Sequence, residues 1–594
     1  MARFSVCLAS GAEHANGPAG RPGAADAHLA AMGTPAIAPG LALVRDEPGH
    51  AEGPFEAYGM RAAGEVTLHN RAELFAALAA DGAPAPPGTG DGELLLRCWA
   101  RLGERGVALA EGMFALAVLD GAELVLIRDH VGARTLFYAR AAGAWAASTS
   151  LRSLRRWPAL GTRMNLSAVR SFLTFAYLPG DETLLEGVHE VLPGRVLRLS
   201  ADGTMTETVH WEPEERLDEP PGERHADDHV LTLRTLLEDA TARRLPEDEA
   251  VGVLLSGGID SSLVTALAAK LHGRPVHTYS ISFGDALPNE LGYSGLVAVH
   301  CQTRHRVLTV SGTAVAARLA DTAALLDSPV GDPLTVPNLM LAEAVAGDGL
   351  RTVLNGEGGD PVFGGPKNLP MLVQEMHAGA PGAHESPWYE DRATAYLRSY
   401  RKCWTDLPDL LTADALSALG SAPAPQRFVA PYLTGPDRMT HLLNQLLHCN
   451  LRTKGAHHIL TKVERLTASQ GIQGRAPLFD RRVVDHAFAT PPALKLRGTA
   501  EKWVLKEAVR DLLPATVVDR PKSGMRVPVQ QWLSGPLREL GGDLLLGRAA
   551  RQRGLFRPDT VRTWMRGEGT LLPRQGGKLW LVLTLELWLR AYGL

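Results

Sequence analysis

The run Val251-Gly252-Val253-Leu254-Leu255-Ser256-Gly257-Gly258-Ile259-Asp260-Ser261-Ser262 constrains the fold more than any other stretch of this chain. An apolar, strand-like segment enters a Ser-Gly-Gly turn, and Leu263-Val264-Thr265-Ala266-Leu267 continues with helical composition. Strand, tight loop and helix in that order predict a parallel α/β layer that binds its ligand at the strand's carboxyl end. Gly257 and Gly258 let the backbone approach an anion without a Cβ in the way. Ser261 and Ser262 offer hydroxyls and N–H groups where a helix begins and its dipole favours negative charge. Asp260 would repel a phosphate unless a divalent cation lay between them, and that pattern separates the loop from an ordinary glycine turn. No Gly-Lys-Ser/Thr follows the glycines, so the loop is not of the Walker type.

A chain of 594 residues is too long for one core, so two or more domains are expected. With 61 basic and 65 acidic residues, bulk charge predicts neither nucleic-acid nor membrane binding. No apolar stretch is long enough to span a bilayer, and the N-terminus lacks the apolar core of a signal peptide. The five cysteines form no C-x-x-C pair, which argues against zinc and disulfides and fits a cytoplasmic location. His457 and His458 are adjacent, a poor arrangement for a metal on a helix.

Residues 1–211 alternate short apolar runs with Gly/Pro turns, which predicts an antiparallel sheet with helices at Arg71–Ala80 and Gly92–Leu102. Residues 212–225 read as a linker rich in proline and acid. From 226 to 594, long helical patterns alternate with buried strands at Val251–Leu255, Val276–Phe283 and Thr352–Leu354, the signature of a doubly wound parallel sheet. An insertion is expected at about 366–450, with Gly379–Gly382 and Ala422–Pro425 as loops. After the third strand comes Asn355-Gly356-Glu357-Gly358-Gly359-Asp360, whose two carboxylates can hold Mg²⁺ or handle a proton opposite the first loop.

The first loop resembles the Ser-Gly-Gly-x-Asp-Ser loop of the PP-loop ATP pyrophosphatases. Both loops together resemble those of asparagine synthetases and their relatives, the β-lactam synthetases and lasso-peptide cyclases. Gly471–Asp480, Glu501–Lys506 and Arg520–Met525 follow the same pattern. His69–Leu74, Glu111–Ala115 and Arg128–Gly132 resemble the family's glutaminase domain. The resemblance implies an N-terminal αββα sandwich of the Ntn type followed by a PP-loop synthetase domain. It implies that Leu255, Ser256, Gly257, Gly258, Asp260, Ser261, Ser262, Ser280, Phe283, Gly356 and Gly358 bind ATP. It also implies that Asp260 and Asp360 hold Mg²⁺, and that Lys522, Glu357 and Arg465 are catalytic. A lysine suits the first of these roles on its own chemistry, as a point charge on a flexible stem facing charge that moves.

Three departures bear on the substrate. Glutamine-dependent members carry cysteine after the initiator methionine, where this chain has Ala2, and Cys7 lies in an apolar run. Glutamine hydrolysis is therefore not expected. Gln473 stands where asparagine synthetases have glutamate, and Arg465 where many have lysine. β-Lactam synthetases have a tyrosine at the position of Glu357. Phe172–Gly180, Lys462–Arg465 and Arg520–Pro528 look most like lasso-peptide cyclases. That resemblance implies adenylation of an Asp or Glu side chain in a precursor peptide, then attack by the peptide's own amine, with AMP released. A leader-binding protein and a leader peptidase are the partners it suggests. In the insertion, Trp388, Tyr389, Tyr396, Tyr400 and Trp404 can either grip a peptide or form a helical core, and the spacing of Tyr396 and Tyr400 favours the core.

Overall fold

A computed structural model describes residues 3–9, 24–32, 36–44, 49–217, 224–284, 289–364, 392–400, 402–434, 439–522, 524–567 and 577–594. Ala2, the loop Gly379–Gly382, Trp388 and Tyr389 lie outside them.

The N-terminal half stacks two six-stranded sheets. One has the spatial order Val188–Glu190, Phe137–Ala141, Ala144–Ser148, Arg3–Ala9, Leu41–Val44, Ala36–Ala38; the other runs Met205–Val209, Arg195–Ser200, Glu123–Arg128, Gly112–Asp120, Met60–Leu68, Glu52–Ala57. Every strand pair is antiparallel. Alternation along the first strand sends Phe4, Val6 and Leu8 between the sheets and Cys7 toward the outer helices. Helices Arg71–Ala80 and Asp91–Leu102 cover one sheet through Leu74, Leu94 and Leu95. Helices Ala24–Ala31 and Leu166–Phe175 cover the other through Leu29, Phe172 and Leu173. The result is the expected αββα sandwich.

The second half is built on a parallel sheet of five strands, not three: Arg304–Thr309, Val276–Ser282, Val251–Leu254, Thr352–Leu354, Gln473–Arg475. The two added strands have no sequence signature. Arg304–Thr309 is a charged edge strand, and Gln473–Arg475 has three residues and no alternation. The first strand in the chain sits in the middle, with its successors on one side and later strands on the other. The order therefore reverses between Val251–Leu254 and Thr352–Leu354, which opens a crevice at their carboxyl ends. Both glycine loops leave the sheet there. Helices Arg224–Ala242 and Ile259–Leu271 pack one face, and Gly312–Leu325, Thr335–Gly347 and the C-terminal Gly577–Tyr592 belong to the apolar cluster on the other.

The described start of the linker is not a free tether. Glu212 is buried against Arg195 (2.9 Å), His448 (2.9 Å) and Arg452 (3.4 Å). In the segment expected as an insertion, Tyr396 is fully buried, its hydroxyl donating to Asn450, and Tyr400 packs on Phe175 and Tyr396. These two aromatics are core, so they do not grip a peptide. Among the described residues no helix is long and apolar enough to cross a membrane.

Candidate active site

The loop after Val251–Leu254 closes on itself before it meets any ligand. Ser261 Oγ accepts from the Ser256 nitrogen (3.1 Å) and lies 3.0 Å from Ser256 Oγ. Gly258 N–H donates to Ser256 Oγ (3.4 Å). Gly257 has φ +81°, and a Cβ there would come within 2.8 Å of Tyr293 Cβ. This preformed loop leads into helix Ile259–Leu271, whose first turn carries Asp260, Ser261 and Ser262. The second loop lies directly on it. A Cβ on Gly356 would collide with the Ser261 nitrogen and reach 2.5 Å from the Asp260 carbonyl carbon. Gly358, at φ +110°, caps the short helix Gly359–Phe363 and turns Asp360 back toward Asp260.

Between the loops is a cavity of about 290 Å³, lined by Leu255, Ser256, Gly258, Asp260, Ser261, Ser280, Gly356, Glu357, Asp360 and Lys522 among the residues expected from sequence. That volume is at the lower end for a small-molecule site. Ser280 Oγ donates to the Leu255 carbonyl (2.5 Å) and fixes the rim between two strand ends. Gly257, Ser262 and Gly358 shape the loops without lining the cavity. Phe283 does not line it either; its ring packs edge-on against Trp532 at 5.6 Å.

Arg465 is also absent from the wall. Its guanidinium is buried against Asp327, Thr135 and the Thr149 carbonyl, with Glu464 at 3.1 Å. It therefore ties the two domains together on the helix face turned away from the cavity.

Lys502, Lys462 and Arg520 line the cavity without having been singled out from sequence. Lys502, 1% exposed and at φ +57°, places Nζ 2.5 Å from Asp260 Oδ2 and 2.6 Å from Asp360 Oδ1. Lys522 makes a second ion pair with Asp360. The only signal for Lys502 was its place in Glu501–Lys506, since nothing local reports a partner 242 residues away. Burial pushes the Lys522 ammonium below the ordinary lysine range, against the pull of Asp260, Glu357 and Glu290. Arg520 donates to the Gly257 carbonyl (3.3 Å), pairs with Glu290 and lies 3.9 Å over the Tyr293 ring, which closes the mouth beside the first loop.

The two aspartates fit a magnesium ion. Asp260 Oδ1 is buried without a hydrogen-bond partner, and both carboxylates converge on positive charge. Hard oxygen ligands suit Mg²⁺, which takes one or two carboxylates and completes its shell with phosphates and water. Among the described residues no group of three or more His, Cys, Asp or Glu side chains forms a complete protein cage.

The asparagine synthase family model matches residues 232–590, and a glutamine amidotransferase domain model matches 45–211. A Mycobacterium tuberculosis protein named as a glutamine-hydrolyzing asparagine synthetase is 28% identical, across 76% of this chain and 72% of its own length. Glutamine-hydrolyzing asparagine synthetase 1 of Bacillus subtilis is 23% identical, across 84% and 80%. The carboxyethyl-arginine beta-lactam-synthase of Streptomyces clavuligerus is 30% identical, across 83% and 77%. The phosphate-type loop, its paired aspartates and lysines and the extent of these matches agree: the chain belongs to the asparagine synthase family and carries its ATP-dependent amide-forming architecture.

Proposed function

We propose that the chain is an AMP-forming macrolactam synthetase of the lasso-peptide cyclase type. A carboxylate of a precursor peptide attacks the α-phosphorus of ATP, and pyrophosphate leaves. The peptide's own amine then attacks the acyl carbon, AMP leaves, and the nitrogen gives up a proton. Enforced proximity within one molecule replaces a supplied ammonia.

In this reading the Ser256–Ser262 loop cradles the departing pyrophosphate with backbone N–H groups and hydroxyls. Asp260 and Asp360 would hold Mg²⁺, which neutralises phosphate charge when bound. Lys502 and Lys522 stabilise charge on the pyrophosphate and on the reacting acyl phosphate. Glu357, on the cavity wall, accepts the amine proton.

The observation that carries the reading is where the cyclase-like segments meet. Lys462 and Arg520–Lys522 line the cavity, and Tyr177 of Phe172–Gly180 stacks on His458, four residues before Lys462. The buried state of Cys7 also favours it, because burial pushes that thiol up to about 12 and leaves it unreactive. The partners in this reading are the precursor peptide, a leader-binding protein and a leader peptidase.

Mass spectrometry of linear core peptides with the protein, ATP and Mg²⁺ tests it, with Asp260→Ala as control. The expected result is loss of one water from the peptide with stoichiometric AMP, abolished by the substitution. AMP made only with free aspartate and ammonia, the peptide unchanged, would assign asparagine synthesis instead.

A further inference from the structure

The cavity has a second charged end that phosphate chemistry leaves unused. Helix Thr461–Ser469 lines it with Lys462, Val463, Leu466 and Thr467. The Lys462 side chain is 5% exposed, and its Nζ donates to Asp332 Oδ2 at 2.5 Å. His458 comes within 3.7 Å of the same carboxylate, with its ring flat on Tyr177 at 5.5 Å. The Asp332 backbone is anchored in turn, because its carbonyl accepts from Thr335 at the start of helix Thr335–Gly347. The lysine is thus held in one place by a rigid acid.

An ammonium has three donors, and Asp332 takes one. A buried ion pair contributes little net stability, so its place on a cavity wall asks for another explanation. Burial alone would lower the Lys462 ammonium; Asp332 and, across the cavity, Glu357 overcome this and raise it. Glu357 also acts on Lys522. Both lysines line the cavity with Glu357 and feel its charge, Lys522 paired with Asp360 and Lys462 with Asp332. Burial, with Lys462, Lys454 and Lys402 nearby, pushes His458 down to about 3, so it stays neutral; of these lysines Lys462 is the one on the cavity wall. A carboxylate that is to attack a polyanionic triphosphate needs a cation on its own side to be admitted at all.

We propose that Lys462 binds the carboxylate to be adenylated, with Asp332 as its positioning residue. This makes Lys462 the group that selects an acidic acceptor, and it rests on the adenylating function above.

The test is carboxylate-dependent ATP–pyrophosphate exchange by the full chain with Mg²⁺. N-acetyl-aspartate α-amide and N-acetyl-glutamate α-amide serve as side-chain carboxylate probes, and N-acetylglycine as a main-chain one. In Lys462→Met the KM for the side-chain probes should rise about tenfold or more, the loss of one charge-assisted hydrogen bond. The KM for ATP should stay within about twofold of wild type, since the lost contact lies away from the phosphates. Lys462→Arg should recover part of the loss. Lys462→Met leaves Asp332 unpaired and can unfold the chain; the double variant Lys462→Met/Asp332→Asn removes both charges and should show the same split. Exchange in the wild type with an unchanged carboxylate KM in these variants, or an equal rise in both KM values, overturns the assignment alone. A KM rise confined to N-acetylglycine overturns it in favour of a main-chain carboxylate site. Absence of exchange from the wild type with every probe overturns the adenylating reading and this assignment with it.

Discussion

The ammonium of Lys502 bridges two carboxylates that face each other across the loops, and a left-handed backbone residue puts it there. A buried cation between Asp260 and Asp360 holds the site in its working shape before any nucleotide arrives, and it acts on the phosphates afterwards. Lys502→Met is expected to cut kcat/KM for ATP–pyrophosphate exchange by about 10²- to 10³-fold, the usual effect of losing one charge-stabilising donor. An exchange rate within a few-fold of wild type would remove Lys502 from the machinery. Gly356 makes a second, steric prediction. Its missing Cβ is what allows Asn355–Asp360 to lie on the Ser261 backbone, and that backbone cannot yield. Gly356→Ala should abolish ATP binding in calorimetry and cost about 1–3 kcal/mol in urea unfolding. Gly347→Ala, at a helix end with open space around it, should be neutral or stabilise by up to about 1 kcal/mol. Both glycine loops were legible because their chemistry is local: strand, glycine, acid and hydroxyl lie within a dozen residues. Lys502 was not, because its meaning depends on partners that only the fold supplies.

Helix Thr461–Ser469 shows the same division at the next scale. At 3.6 residues per turn, Lys462, Val463, Leu466 and Thr467 share one face and Glu464 and Arg465 the opposite one. The first face lines the cavity, and the second meets the N-terminal domain. Resemblance pointed to the segment but not to the face, which is how Arg465 was expected at the chemistry and Lys462 passed over. The strands were read unevenly for a related reason. Val251–Leu254 and Val276–Ser282 are buried apolar runs, whereas Gln473–Arg475 becomes a strand only because Thr352–Leu354 offers it an edge. Glu464 tests whether the outer face supports the inner one. It lies 2.7 Å from Arg3, which also pairs with Glu65 at 3.0 Å, all nearly inaccessible. Glu464→Ala should cost about 1–3 kcal/mol, because Arg3 and Arg465 each lose one of two buried carboxylate partners and keep Glu65 and Asp327. It should also lower exchange activity, although Glu464 does not line the cavity. Unaltered activity in a destabilised variant would separate the two faces.

Across the whole molecule, the domains meet through buried charge as well as apolar packing, and that makes stability depend on pH. Arg244 bridges Glu111 of the sandwich (3.3 Å) and Asp480 of the second domain (2.8 Å), and His457 meets Glu190 at 3.2 Å. Burial, with Asp480 nearby, pushes Glu111 up to about 7 despite Arg244, so the folded state holds a proton there that the unfolded chain releases. Glu111 therefore withdraws stability as pH rises from about 4.5 to 7. Buried histidines act in the opposite sense, His69 and His130 among them as well as the three that follow. Burial pushes His50 and His210 down to about 4 and His458 to about 3, so each is neutral in the folded protein and charged in the unfolded chain below 6.5. Each contributes stability that is complete above 6.5 and lost as pH falls toward its folded value, at about 1.4 kcal/mol per pH unit. Between pH 4.5 and 6.5 the histidines outnumber the glutamate, so acid destabilises. For His210 the cause is burial, helped by Arg452, Arg195 and Arg481; it outweighs the Arg128 carbonyl 2.8 Å from one ring nitrogen, and the other nitrogen is buried without a partner. Urea unfolding at a series of pH values should show a shallower acid limb for His210→Gln, by about one proton's worth of slope. Glu111→Gln should steepen the same limb, because it removes the opposing proton. If the difference between wild type and His210→Gln stays flat from pH 6.5 to 4, this histidine is not held neutral in the folded state, and the acid limb comes from the other buried histidines and from the carboxylates that pin the domains together.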